Sequence, residues 1–203
     1  MIIFAILINL IIVILEIYTL IHIKGKKNIF KYYTYLQNFI ALIISLIFSL
    51  YVSLNMISNV EIPELVKGLR YVATCGLLAT TFIFVVFLGA GNKVSMTEDD
   101  FLKAFPPKRA NLILHYICPI LSLISFLVFE RELQLENGIW TGLVAIPSCL
   151  YWIVYLILSS LKLWEEPYDL SNSKTKTKIV DVLIFLFIPL SFIFISFILW
   201  NIM

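Results

Sequence analysis

Four polar side chains have the types and spacing that nucleophilic chemistry needs. Thr34 and Asn38 are four residues apart, and Asn111 and His115 are also four apart. Residues at this spacing share one face of an α-helix, so each pair forms a combined polar surface. A hydroxyl, an imidazole that takes its proton and an amide that stabilises an oxyanion suit acyl transfer. The pattern suggests Thr34 as nucleophile and His115 as base, with the two asparagines in support.

Glu16 is the carboxylate that would complete this set. The third member of a catalytic triad orients the imidazole, and Glu16 would have that role beside His115. Each residue also has a simpler explanation. The Thr34 hydroxyl can bond back to its own helix, and Asn38 can join two helices. His115 can be a structural hydrogen bonder, and Glu16 can pair with a cation.

Long apolar stretches must position these side chains. Hydrophobic residues make up 61% of the 203-residue chain and charged residues only 14%, whereas a soluble domain is about a quarter charged. A helix needs about 20 apolar residues to cross a bilayer. Six stretches meet this requirement: 1–23, 32–56, 69–91, 110–129, 139–163 and 179–202. We therefore expect an all-α membrane protein, a single domain over residues 1–203 that forms a six-transmembrane-helix bundle.

The basic residues indicate how the bundle lies in the membrane. The connections between helices 1 and 2, 3 and 4, and 5 and 6 carry 12 of the 15 lysines and arginines, and the other side has Lys67, Arg70 and Arg131. The positive-inside rule makes the basic connections cytoplasmic and puts both termini on the non-cytoplasmic side. We expect a multi-pass protein of the cell membrane.

The predicted topology brings polar side chains to one depth. The helix ends at the cytoplasmic leaflet contain Glu16, Thr34, Asn38, Asn111 and His115, whereas the outer halves hold mostly Leu, Ile, Phe and hydroxyl residues. Charged groups are costly in lipid, so these residues are expected to face one another inside the bundle.

Two tyrosines in the fifth stretch are candidates to line a substrate cavity. Tyr151 and Tyr155 are four residues apart and follow Pro147. They would share a helix face, and we expect a kink near the proline.

The missing motifs bound the function. There is no Walker phosphate loop, GxSxG, HExxH or CxxC. The two histidines are far apart and the three cysteines lie separately in apolar stretches, so we expect no metal and no cofactor. A dispersed net charge of +2 does not favour a nucleic-acid partner. The expected partners are membrane lipids or a lipid-ester substrate, and the oligomeric state is not predicted.

Short motifs in three helices resemble a known family of membrane hydrolases. The segment 31–38, KYYTYLQN, is similar to the start of helix 2 in the androgen-induced and androgen-dependent membrane hydrolases and their bacterial six-helix relatives. The segment 111–119, NLILHYICP, resembles the family's histidine-containing helix 4. Pro147 with the two tyrosines is similar to the bacterial helix 5 pattern, and the segment 166–169, EPYD, resembles the loop after it.

This resemblance implies a six-helix intramembrane hydrolase. The animal members cleave esters of fatty acids with hydroxy fatty acids, and they use Thr as nucleophile and His as base. Matching the motifs assigns these roles to Thr34 and His115. The spacing from His115 to Pro119 resembles that of the bacterial members and differs from that of the animal ones.

Two other classes also fit a chain of this kind. One is the membrane subunit of a small-solute, vitamin-type transporter, in which Glu16, His115 and Asp181 would bind the solute. The other is a non-catalytic structural or assembly protein whose polar residues hold helices together. Only the hydrolase hypothesis requires Thr34 and His115 to lie together.

Overall fold

The computed structural model of the chain is helical throughout its regular elements. It describes residues 2–22, 32–89, 110, 112–130, 133, 135–163 and 178–203. Over these residues it contains helices, turns and short irregular connections, and no strand. The predicted all-α fold is therefore confirmed for this part of the chain.

Six helical segments follow one another along the described residues. Helix α1 spans Ile2–His22, α2 spans Tyr33–Ser58, and α3 spans Glu64–Ile83 and continues as a π-helix over Phe84–Gly89. Helix α4 consists of a π-helical turn at Ile113–Ile117, an α-helix at Cys118–Ile124 and a second π-helical turn at Ser125–Phe129. Helix α5 consists of Trp140–Leu143 and Ile146–Ser160, and α6 spans Lys178–Ile202.

Four of these segments are long and apolar enough to cross a membrane. They are Ile2–His22, Tyr33–Ser58, Glu64–Val86 and Trp140–Leu158. Two further apolar segments of the described residues, Ile113–Phe129 and Phe187–Ile202, are shorter. Large apolar side chains such as Ile57 and Ile21 are exposed along the helices. By the length and composition of its helices, this is a membrane protein.

Helix α3 begins earlier than the sequence analysis placed it. The predicted start at residue 69 is wrong, because the helix begins at Glu64 directly after Pro63. Glu64 puts a carboxylate in the first turn, where the helix dipole favours negative charge. The earlier start places Arg70 in the second turn of the helix and not at its N-terminus.

Helix α3 is the centre of the described bundle. It packs against α2, α4, α6 and the first part of α5, whereas α1 packs against α2 and α4. Two glycines permit this close packing. A Cβ atom at Gly76 would overlap the side-chain amide of Gln37, and one at Gly68 would overlap the ring of Trp140. Residues of α2 and α5 therefore occupy the space that larger side chains on α3 would need.

Helix α5 is interrupted directly before Pro147. Val144 and Ala145 form a turn between its two segments, and Pro147 is the second residue of Ile146–Ser160. A proline is tolerated in the first turn of a helix because the N–H that it lacks would have no helical partner there. The predicted kink in the fifth helix is therefore confirmed.

Candidate functional site

The His115 side chain is buried in α4, within the π-helical turn Ile113–Ile117. Only 2% of the residue is exposed. The imidazole stacks on the ring of Phe84 from α3, with the ring centroids 3.9 Å apart and the planes inclined by 17°. Nδ1 has no hydrogen-bond partner among the described residues. This nitrogen is therefore not engaged in another hydrogen bond among these residues, which suits a general base.

Pro119 determines how the backbone of His115 is held. It lies four residues after His115 and has no N–H to donate to that carbonyl. The hydroxyl of Thr81, on α3, lies 2.8 Å from the His115 carbonyl oxygen, closer than the 3.0 Å to the Leu77 carbonyl of its own helix, and offers this carbonyl a donor from the neighbouring helix. The N–H of Cys118 bonds the carbonyl of Ile113, which widens the turn into a π-helix. Turns of this type occur frequently at functional sites.

Thr34 and Asn38 lie in the first two turns of α2. Thr34 is half-buried and Asn38 is buried. Nδ2 of Asn38 donates to the backbone carbonyl of Thr34 at 2.8 Å, and Oδ1 of Asn38 is buried without a partner among the described residues. Asn38 thus ties its side chain to the turn that carries Thr34.

The first turn of α2 lies beside the turn that carries His115. Tyr35, next to Thr34 in the chain, and Leu114, next to His115, belong to one apolar cluster. Within the described residues Thr34 makes no hydrogen bond to Nδ1 of His115, because that nitrogen has no partner. The structure therefore brings the two segments together without joining the two side chains through this atom.

Glu16 is buried inside α1 and is 1% exposed. Neither of its carboxylate oxygens has a hydrogen-bond partner in the described part of the chain. It therefore does not bond His115 as a triad carboxylate would. The groups that interact with it electrostatically are Arg70 of α3 and Cys118 of α4.

Asn111 lies outside the described residues, and so does the side chain of Asp181.

The candidate cavity tyrosines, Tyr151 and Tyr155, lie in an aromatic cluster between α2, α3, α5 and α6. The ring of Tyr151 is 5.1 Å from that of Tyr33 and 6.4 Å from that of Tyr155. The Tyr33 hydroxyl in turn donates to Oε1 of Gln37 at 3.0 Å. Tyr151 thus packs against the residue that precedes Thr34, and Tyr155 packs against Tyr151.

The sequence analysis missed an extensive buried polar network. Arg70 forms a salt bridge with Glu130, in which Nη2 lies 3.0 Å from Oε1 and Nε lies 3.1 Å from Oε2. Arg70 is 1% exposed and Glu130 is 4% exposed. Nη1 of Arg70 also donates to the hydroxyls of Thr74, at 3.0 Å, and Ser122, at 2.8 Å. Arg70, which the sequence analysis counted with the charges of the non-cytoplasmic side, is thus an interior side chain.

Helix α1 joins the same network through Asn9. Nδ2 of Asn9 lies 2.9 Å from Oε1 of Glu130, and the Ser125 hydroxyl donates to the same oxygen at 2.5 Å. This network is at the opposite end of α4 from His115. The expectation that the outer helix halves hold mostly apolar and hydroxyl residues therefore overlooked these groups. The sequence did contain a signal for this network, because Arg70 and Glu130 lie at the ends of two apolar stretches that pack together.

Neither a metal-binding group among the described residues nor a similar known protein identifies the candidate site. In the described ranges, no three His, Cys, Asp or Glu side chains come together in a group that could hold a metal ion. No family model, no curated protein and no solved structure matches this chain.

Proposed function

We propose that this protein is a multi-pass enzyme of the cell membrane that hydrolyses lipid esters, with Thr34 as nucleophile and His115 as general base. The observation that carries the proposal is the buried imidazole of His115, whose Nδ1 is unpartnered among the described residues. Its turn also contacts the first turn of α2 through Leu114 and Tyr35. The resemblance of the motifs around both residues to the membrane hydrolases supports the same pair.

The architecture proposed for this enzyme is a bundle of six membrane-crossing helices with both termini on the non-cytoplasmic side. Four long apolar helices and two shorter apolar segments support this number of crossings. Basic residues concentrated in three connections support the orientation.

The proposed reaction has two steps. The Thr34 hydroxyl attacks the ester carbonyl while His115 takes its proton, and the tetrahedral intermediate collapses to an acyl-threonine. The alcohol leaves with the proton from His115. Water then attacks the acyl group, with the same imidazole as base, which releases the fatty acid and restores Thr34.

Two features of the site suit this chemistry. The side-chain amide of Asn38 donates one of its two N–H groups to the backbone carbonyl of Thr34. Its second N–H is a candidate donor to the oxyanion. Catalytic hydrogen bonds are often long without substrate and tighten when substrate binds. The missing bond from Thr34 to His115 Nδ1 is therefore compatible with the proposal.

Covalent labelling with a fluorophosphonate probe tests the proposal on the purified protein in detergent. We expect the wild type to be labelled, and Thr34→Ala and His115→Ala to lose labelling while remaining folded. Thr34→Ser should keep it, because the nucleophilic hydroxyl is retained. Ser160→Ala removes an exposed hydroxyl at the end of α5 and should change nothing. Labelling that persists in both alanine variants, or a wild type that is not labelled, would contradict the proposal.

A second candidate function is that of a small-solute transporter subunit. The observation that favours it is Glu16, because ionisable residues buried in membrane segments often mark solute or ion pathways. This alternative predicts that a water-soluble vitamin raises the melting temperature of the wild type and not that of Glu16→Gln. It also predicts no labelling of the wild type by the fluorophosphonate.

A further inference from the structure

The carboxyl group of Glu16 is an ionisable group that the proposed reaction does not use. It lies in the interior of α1, is 1% exposed, and has no hydrogen bond to either oxygen within the described residues. An unpaired carboxylate is strongly disfavoured in an apolar interior. Some group must therefore neutralise it.

Among the described residues, Arg70 is the cation that acts on Glu16, but its hydrogen bonds go elsewhere. Its Nε bonds Glu130, and its Nη1 bonds the hydroxyls of Thr74 and Ser122. Its Nη2 bonds Glu130 at 3.0 Å and reaches the Ser122 carbonyl at 3.4 Å. Each nitrogen of the guanidinium is therefore engaged, and Arg70 attracts Glu16 only through space.

The charges of the described interior already balance without Glu16. Glu130 neutralises Arg70 in a direct ion pair, so an ionised Glu16 would add an uncompensated negative charge. His115 is not an alternative counter-ion, because no acceptor faces its Nδ1 among the described residues. An imidazolium there would carry an Nδ1–H without an acceptor among the described residues.

Helix α4 brings a neutral group to Glu16. Asn9 sets the register between α1 and α4, since its Nδ2 lies 3.2 Å from the Ser125 hydroxyl. The two helices are antiparallel, so seven residues forward from Asn9 along α1 correspond to seven residues back from Ser125 along α4. Glu16 therefore lies beside Cys118, about 10 Å from Asn9 along the helix axis. The electrostatic interaction between Glu16 and Cys118 agrees with this register. A thiol brings no positive charge.

Helix α2 also packs against α1 without a basic group. Asn38 and Ser45 are buried on α2, and each has an oxygen without a partner in the described structure. The nearby titratable group of this helix is the phenol of Tyr35, which packs with Leu114. None of these side chains supplies the charge that would neutralise Glu16.

We propose that Glu16 is a proton-binding site, in which one proton occupies the carboxyl group of the folded protein at neutral pH. A metal ion fits less well, because hard cations take six or more oxygen ligands and Glu16 belongs to no group of three or more His, Cys, Asp or Glu side chains among the described residues. The proposal goes beyond ester hydrolysis and does not depend on it.

Infrared difference spectroscopy of the full-length protein tests this directly, because a carboxylic acid and a carboxylate have separate stretching bands. Wild type minus Glu16→Gln should contain the carboxylic-acid band, shifted in D2O. Wild type minus Glu136→Gln, which removes an exposed acid after α4, should contain carboxylate bands only. Carboxylate bands in the Glu16 difference would overturn the proposal.

The variant Glu130→Gln provides a second test of the same proposal. This substitution removes the carboxylate that neutralises Arg70. The positive charge of Arg70 then favours the ionised form of Glu16. We expect Glu16 to release its proton in this variant. The difference between Glu130→Gln and Glu130→Gln/Glu16→Gln should therefore contain carboxylate bands. An undiminished acid band in a folded Glu130→Gln protein would contradict the charge-balance argument.

Discussion

The hydroxyl of Thr81 lies 2.8 Å from the carbonyl oxygen of His115, to which Pro119 has no N–H to donate. Phe84, three residues after Thr81, stacks on the imidazole with the ring centroids 3.9 Å apart. Helix α3 thus contacts both the backbone and the ring of His115. The position of the candidate base depends on the packing of two helices and not on α4 alone.

The first prediction concerns this carbonyl. Thr81→Val should destabilise the protein by about 1–3 kcal/mol, because a buried carbonyl loses its donor. In a Pro119→Ala background the cost should be smaller, since an alanine at that position can supply a backbone N–H. Unfolding of the four proteins in detergent measures the coupling. An equal cost in both backgrounds would show that the Thr81 bond does not replace the proline's missing donor.

The buried ion pair gives the second prediction. Arg70→Met or Glu130→Gln alone should destabilise the protein by roughly 3–5 kcal/mol, because each removes one member of a buried, hydrogen-bonded ion pair. The double variant should recover much of this loss. Lys67→Met is the control, since Lys67 Nζ lies 3.9 Å from a carboxylate oxygen of Glu64 in a more exposed pair, and its loss should cost about 0–1 kcal/mol. Additive losses in the double variant would argue against the coupling.

Three glycines provide a graded test of the packing around α3. Gly68→Ala should be the most destabilising, by about 1–3 kcal/mol, because the new Cβ overlaps the rigid ring of Trp140. Gly76→Ala should cost less, because the end of the Gln37 side chain can move. Gly142→Ala should be neutral or slightly stabilising, since nothing lies within 4 Å of its Cβ position. Thermal unfolding that ranks Gly142→Ala with Gly68→Ala would contradict this arrangement.

A fourth prediction rests on the proposed hydrolase function. Phe84→Leu removes the ring that stacks on His115, and we expect the rate of fluorophosphonate labelling to fall by about 10-fold or more, because small misplacements of catalytic groups are costly. Phe82→Leu is the matched control, since Phe82 is on the same helix but 39% exposed. Equal labelling rates in the two variants would show that the stacking does not position the base.

The helices could be predicted from the sequence because their signals are local. The apolar stretches 1–23 and 32–56 correspond to Ile2–His22 and Tyr33–Ser58, and Pro147 marks the break in α5. The start of α3 was missed because polar residues around Glu64 concealed a helix that begins before the apolar stretch. In this first turn Val66 packs with Phe48 and Val52 of α2, a contact that hydropathy does not predict.

The contacts between helices could not be predicted, because they depend on rotation and register. Spacing shows that Thr34 and Asn38 share a face, but it does not show which helix that face meets. Arg70 and Glu130 are 60 residues apart, and an arginine near a helix end has the same local sequence whether it extends to the surface or turns inward. The burial of Glu16 without a hydrogen bond is likewise a property of the assembled bundle.

Mass spectrometry of the protein after reaction with the fluorophosphonate shows which residue is the nucleophile. We predict one phosphonyl adduct, on the peptide that contains Thr34, in the wild type and no adduct in His115→Ala. An adduct on any other residue, or an adduct on Thr34 that forms equally fast without His115, would contradict the pairing of this nucleophile with this base.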